Sequence, residues 1–435
     1  MKPDLLFFFP GEHPEGAFFG HPGLNNFLYF LYSSIFGVSL FSMRAFSLII
    51  SCLFVLSFYY FVSVTSNRRV AFYSSLSLMM LPMFQIQSIM FFNEMGSLMF
   101  ALVSLALLHQ KRLKSYALFG VMALLFLESA IAFYIAISLI SIFHLMKKKN
   151  MDYNKQVLGY SLVPSLFLVS FFLCEYITTG EISNHITRHV ISNRLDSSVG
   201  WLGLMTDVLP RYAITFKENF SPIFLLSCVS LVIYHVLYKR KSWFLISGVK
   251  ILFLPALFYL LFFTFFSEFQ GGRDLYVIFL FLIFYFFQYV DLITSRKLVY
   301  ALCLLVIAQG SYSRLNSTGR SHFQTSLQEY QREDIYKEFT EKILEKVDDH
   351  KCYVSSKFFY NNIYCRNFYG VQEDIEQTKK KSTPFFVLLS KNDLKKIEEL
   401  KEIAQNNNLV LEKKVVGKLE GETVVVYLAS QDQEQ

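Results

Sequence analysis

Long apolar runs broken by short polar loops set the pattern of the first three quarters of the chain. Ten such runs lie near 45–66, 70–86, 95–110, 115–128, 130–146, 157–177, 221–238, 243–266, 274–293 and 298–312. A hydrocarbon core about 30 Å thick takes roughly 20 mostly apolar residues per helix, fewer where neighbours shield the ends. The pattern therefore predicts ten transmembrane helices. Ahead of them, Leu24 to Gly37 is apolar and aromatic. At 1.5 Å per residue it spans only about 21 Å, so an interfacial or re-entrant helix on the outer face is expected. Residues 1–23 hold one Lys and one short apolar run, too little for a signal peptide or a span.

After residue 312 the pattern changes. Apolar positions at helical spacing (Leu327, Ile335, Phe339, Ile343) predict a helix over 322–347. Strands are expected at Cys352–Ser355, Pro384–Ser390, Leu409–Val416 and Thr423–Leu428, with a helix at Asn392–Gln405. The expected fold class is thus an all-α polytopic membrane bundle over 1–312, with about ten transmembrane helices plus the interfacial one. A small soluble α/β domain follows over 313–435.

Composition sharpens this division. Of 435 residues, 53% are apolar and 17% charged, where soluble chains carry about a quarter charged. Residues 1–310 hold 22 Lys and Arg against 14 Asp and Glu, while the remainder holds 19 against 20. A single globular domain, a disordered chain and a fibrous repeat are excluded.

Charge also orients the bundle. Five short loops, at 67–69, 111–114, 147–155, 239–241 and 296–297, carry 14 basic residues, whereas the alternating loops carry five: Arg188, Arg194, Arg211, Lys217 and Arg273. Basic loops stay in the cytoplasm. Residues 1–44, the 178–220 loop and the C-terminal domain then face outward, into the periplasm if the chain sits in a bacterial inner membrane. An outward N-terminus without an export signal points to a further span upstream of residue 1. Cys352 and Cys365 fall in the exterior domain, where an oxidising periplasm permits a disulfide.

Ionisable groups at the outer ends of membrane helices are costly unless used, which makes them candidates for chemistry. Asp4, Glu12, Glu15, His21, Arg44, Glu94, Glu128, Glu268, Arg273 and Asp274 all fall on that side. Plainer roles compete: Arg44 suits snorkelling to headgroups, Glu12 and Glu15 suit a solvated loop, and Arg273 suits pairing with Asp274.

The segment from Gly11 to Arg44 is the most informative. It runs Gly20-His21-Pro22-Gly23-Leu24, then an apolar helix ending at Phe36-Gly37, then Leu40-Phe41-Ser42-Met43-Arg44 opening the first span. This resembles the first exterior loop of polytopic GT-C glycosyltransferases, in particular the dolichyl-phosphate-mannose protein mannosyltransferase-like group that includes the lipid A aminoarabinose transferases. Gly23 replaces the second Pro of their Gly-His-Pro-Pro-Leu motif. The likeness continues more weakly through Asn93-Glu94 at the third span and Gly272-Arg273-Asp274-Leu275-Tyr276 at a late one. Two departures stand out. No acidic pair precedes Gly20, so either the chain begins after a helix that carries the catalytic base or the base is lost; and Leu127, not a basic residue, precedes Glu128.

The resemblance implies sugar transfer from a polyprenyl-phosphate donor to an exterior glycan, lipid or protein of the cell envelope. Glu12, Glu15 and Asp4 are the candidates for the carboxylate that takes the acceptor proton. Arg273 and Arg44 are the candidates for the phosphate, because a guanidinium binds two oxygens at once. His21 would orient a substrate and Glu94 would line the cavity. No cofactor is fixed, with a divalent metal the one candidate. The competing expectation is a non-catalytic GT-C-like scaffold or a flippase. There is no phosphate-binding Gly-Lys-Ser/Thr loop, no Cys-x-x-Cys pair and no Gly-x-Ser-x-Gly elbow. The Lys379–Lys381 run lies on the exterior side among acidic residues, so nucleic acid is not an expected partner; membrane lipids are.

Overall fold

In the computed structural model, residues 23–37, 40–89, 93–179, most of 212–238, 247–265, 275–293 and much of 297–308 are described, together with 351–354, 366–367, 385–390, 394–406, 409–419 and 422–431 of the tail. The chain divides into two units, Met1–Ser326 and Leu327–Gln435.

The first unit is helical. Its elements are α1 (Leu24–Phe36), α2 (Leu40–Thr65), α3 (Arg68–Met80), α4 (Pro82–Gln87), α5 (Asn93–His109), α6 (Leu113–Phe126), a 3-10 turn (Glu128–Ala130), α7 (Ile131–Met146), α8 (Met151–Thr179), α9 (Pro222–Tyr238), α10 (Ser247–Phe265) and α11 (Tyr276–Ile293). Among the described residues, Phe41–Thr65, Glu128–Met146 and Met151–Cys174 are long and apolar enough to cross a membrane. Asn93–His109, Leu113–Phe126, Ile251–Leu261 and Tyr276–Leu292 are shorter apolar helices.

α2 shows how one sequence serves two solvents. Phe54, Phe58 and Phe61, at i, i+4 and i+7, are fully buried, while Leu48, Ile49, Leu53 and Leu56 point outward. The buried stripe meets α11 through edge-on ring contacts, Phe54 with Tyr276 at 5.9 Å and Phe61 with Phe284 at 6.0 Å between centroids. In lipid, such van der Waals fit replaces the hydrophobic drive of water. Small residues set the closest approaches. A Cβ on Gly96 would lie 2.1 Å from Cε1 of Phe126, and one on Gly120 would lie 2.7 Å from Cγ of Pro164.

One expected span is corrected. The run 70–86 is not a continuous helix but α3 and α4, broken at Leu81. Pro82 disfavours the helical region for the residue before it, and Leu81 has ψ 131°. The break leaves backbone N–H groups without an intrahelical acceptor. That of Met83 donates to Oδ1 of Asn219, 3.1 Å away, from the segment before α9.

At the opposite end of α3, Asn67 caps the helix by accepting from the Val70 N–H at 2.9 Å. Its Nδ2 donates to Oδ2 of Asp291 on α11 at 2.8 Å. Tyr300 donates to the other carboxylate oxygen, and Arg69 Nη1 lies 3.6 Å from it. Stacked rings of Tyr73 and Tyr300, 4.5 Å apart, close this cluster.

The second unit holds β1 (Lys351–Val354), β2 (Arg366–Asn367), β3 (Phe385–Ser390), α12 (Leu394–Asn406), β4 (Leu409–Leu419) and β5 (Glu422–Gln431). They form one sheet in the order β2-β1-β3-β5-β4. β1 runs parallel to β2 and β3, while β5 runs antiparallel to β3 and β4. Leu400 and Ala404, one turn apart, form the buried face of α12. The 322–347 helix and Cys365 fall outside the described residues.

Candidate functional site

The helix ends nearest Glu94 gather several buried polar groups. α1 begins after Gly23 and turns Asn25 inward, 2% exposed, in a largely apolar and aromatic helix. Its Nδ2 donates to Oδ1 of Asn93 at 2.7 Å. Asn93 opens α5, and Glu94 follows it at 7% exposure. A carboxylate in the first turn is favoured by the helix dipole.

Two further groups join from other helices. Tyr276, the first residue of α11, is 1% exposed and interacts electrostatically with Glu94. Its hydroxyl makes no hydrogen bond among the described residues. Gln87 ends α4 and is likewise buried, with Oε1 lacking a hydrogen-bond partner among the described residues. The next residue, Ser88, is drawn to α2 and α5: its carbonyl oxygen lies 3.0 Å from the Ser51 hydroxyl, which is 2.9 Å from the Met95 sulfur. Gln87 and Glu94 are thus immediate chain neighbours of one buried contact. Buried polar atoms without partners are rare in proteins and mark places where water or a ligand completes the set.

Beside this cluster, the 3-10 turn carries Glu128 at 9% exposure and Ser129, whose hydroxyl shares a 2.9 Å hydrogen bond with that of Tyr259 on α10. Arg44 sits in the second turn of α2, partly exposed, with its Nε buried. Asp4, Glu12, Glu15, His21 and Arg273 lie outside the described residues. Of the ionisable candidates named from sequence, Arg44, Glu94 and Glu128 are described. No group of three or more His, Cys, Asp or Glu side chains suited to a metal converges among the described residues.

Asn25 and the Tyr276 hydroxyl were not singled out by the sequence. A polar residue at the start of an apolar interfacial helix was the available signal for Asn25. Tyr276 gave none, since a Tyr at the mouth of a span is ordinary in the aromatic belt of membrane proteins.

No protein-family model matches the chain, and no curated protein matches it in sequence. Solved structures do. The ArnT of Cupriavidus metallidurans bound to undecaprenyl phosphate superposes with a TM-score of 0.56, covering 94% of this chain and 88% of that one at 13% identity. The apo form of the same protein gives 0.51 at 12% identity over the same shares. The chain has the ArnT fold. An oligosaccharyltransferase from Archaeoglobus fulgidus gives a TM-score of 0.46 at 11% identity, over 87% of this chain and 60% of that one. The resemblance to lipid A aminoarabinose transferases expected from the sequence is met at the level of fold. With ArnT as the frame, agreement at so low an identity rests on helix order and packing rather than on shared side chains.

Proposed function

We propose that the chain is an integral-membrane glycosyltransferase that moves a sugar from a polyprenyl-phosphate donor to an acceptor on the outer side of a bacterial inner membrane. The observation that carries this reading is a polar cluster, the buried Asn25, Glu94 and Tyr276 with the half-buried Asn93, set at one end of a bundle with the ArnT fold. The ArnT structure so matched is bound to undecaprenyl phosphate. In this reading the apolar runs cross the membrane, that at 70–86 as the broken pair α3 and α4, and both the N-terminal loop and the C-terminal domain are periplasmic.

The reaction makes a bond between an acceptor oxygen and the anomeric carbon of the sugar, and breaks the bond from that carbon to the phosphate oxygen. A carboxylate takes the acceptor's proton; Glu12, Glu15 and Asp4 are the candidates. The departing polyprenyl phosphate carries the charge that Arg273 and Arg44 would stabilise. His21 would orient a substrate. Glu94 and Tyr276 would line the sugar side, with Tyr276 as donor. The sequence and fold leave the sugar and the acceptor class open, with glycan, lipid and protein all compatible.

The test is binding and transfer by the purified full-length protein. Undecaprenyl phosphate is expected to raise its melting temperature in detergent, where farnesol, which has no phosphate, does not. Membranes containing the protein are expected to move radiolabelled sugar from an undecaprenyl-phosphate donor into envelope material. Lipid binding without transfer would favour the non-catalytic scaffold, and neither binding nor transfer would remove the proposal.

A further inference from the structure

At the end of the bundle away from Glu94, two loops are drawn into one basic surface. α5 runs about 25 Å from Asn93 to His109 and ends in the turn Gln110–Arg112 before α6. The turn Lys147–Asn150 joins α7 to α8. Tyr153 links the two: its hydroxyl donates to the Leu108 carbonyl at 3.3 Å, and its ring lies 5.9 Å beneath Nζ of Lys111.

The second turn is built rather than loose. The buried amide of Asn154 donates to the carbonyl oxygens of Lys149, at 2.7 Å, and Asn150, at 3.1 Å. Lys147 sits over the Phe143 ring at 4.2 Å. In both turns a lysine takes a left-handed backbone, with φ 62° at Lys111 and 52° at Lys148. Glycine is the residue that adopts this conformation freely and is the usual choice after a helix C-terminus. Lysine at both positions puts charge where conformation alone would select glycine.

Lys111, Arg112, Lys147, Lys148, Lys149 and Lys155 are all exposed, and Asp152 is the one acid among the two turns and the first turn of α8. Orientation of a membrane protein needs basic loops, but it does not need two of them tied together with aromatic rings beneath the ammonium groups.

We propose that the joined α5–α6 and α7–α8 turns form a binding site for the headgroup of an anionic phospholipid in the adjoining leaflet. The lysines face its phosphate, and Phe143 and Tyr153 lie at the level of the glycerol and upper acyl chain. This site is independent of the proposed sugar transfer.

The test uses the full-length protein purified in neutral detergent and offered vesicles of phosphatidylcholine, with or without phosphatidylglycerol. Retained phosphatidylglycerol is counted by native mass spectrometry. The triple variant Lys111→Gln, Lys148→Gln, Lys149→Gln is expected to hold it about tenfold more weakly or worse, given the attraction per basic residue near an anionic surface. Its melting temperature in phosphatidylcholine alone should match that of the unaltered protein. A control with the same charge change, Lys239→Gln, Arg240→Gln, Lys241→Gln, should keep the lipid. Equal loss in both triple variants, or no loss in the first, would overturn the proposal.

Discussion

The amide of Asn25 on α1 donates to the amide oxygen of Asn93 on α5 across 2.7 Å, so α1 is fastened one residue away from the buried Glu94. Sixty-eight positions separate the two in sequence.

This pair should behave as a unit. Removing the Asn93 amide leaves that of Asn25 buried without its partner, at a cost of about 1–3 kcal/mol. Asn25→Ala and Asn93→Ala should each lower the melting temperature in detergent, and the double variant should fall little further than the worse single one. Fully additive losses would show that the two amides do not interact.

Gly96 makes the opposite kind of prediction from propensity alone. Alanine is favoured over glycine in a helix by about 1 kcal/mol. Here its Cβ would meet the fully buried Phe126 ring at 2.1 Å, and overpacking of that kind costs about 1–3 kcal/mol. Gly96→Ala should therefore destabilise, and Phe126→Leu in the same chain should restore part of the loss. Both are read by thermal unfolding.

Asp291 gathers three donors, from Asn67, Arg69 and Tyr300. Asp291→Ala strips all three and should cost about 1–3 kcal/mol. Arg69 is 43% exposed, and exposed ion pairs are worth about 0–1 kcal/mol, so Arg69→Ala should have a much smaller effect. Equal losses in the two variants would contradict this ordering.

For the proposed chemistry, Glu12→Gln, Glu15→Gln and Arg273→Ala should be assayed for sugar transfer in membranes, with Glu94→Gln and Tyr276→Phe beside them. Loss of the true base should cost about 10²–10⁴ in rate. Unchanged transfer in the first three would remove the assignment of the exterior loop, and unchanged transfer in the last two would remove the buried cluster.

Much of the helical layout was legible because apolar periodicity and loop charge are local signals. A helix does form where one was expected at 24–37, as α1, and the runs at 95–110, 130–146 and 221–238 correspond to α5, α7 and α9 within about two residues. The break at Leu81 was missed although Pro82 was in plain view, since the apolar run continues unchanged through it. The two-residue strand β2 was missed because two residues carry no period. The partnership of Asn25 with Asn93, and of Tyr276 with Glu94, depends on helix packing that no local pattern encodes. Glu94 itself was legible, because an acid opening an apolar helix is conspicuous on composition alone.

Asn67 performs two tasks with one side chain, its oxygen finishing α3 and its nitrogen gripping α11. Aspartate would finish the helix equally well but would confront Asp291 with a like charge, and serine would finish it yet has no amide with which to reach across. Neighbouring helices can drift freely through sequence space so long as they remain oily. This position has almost no substitutes, and it should be among the slowest to change wherever the same pairing of α3 with α11 is inherited.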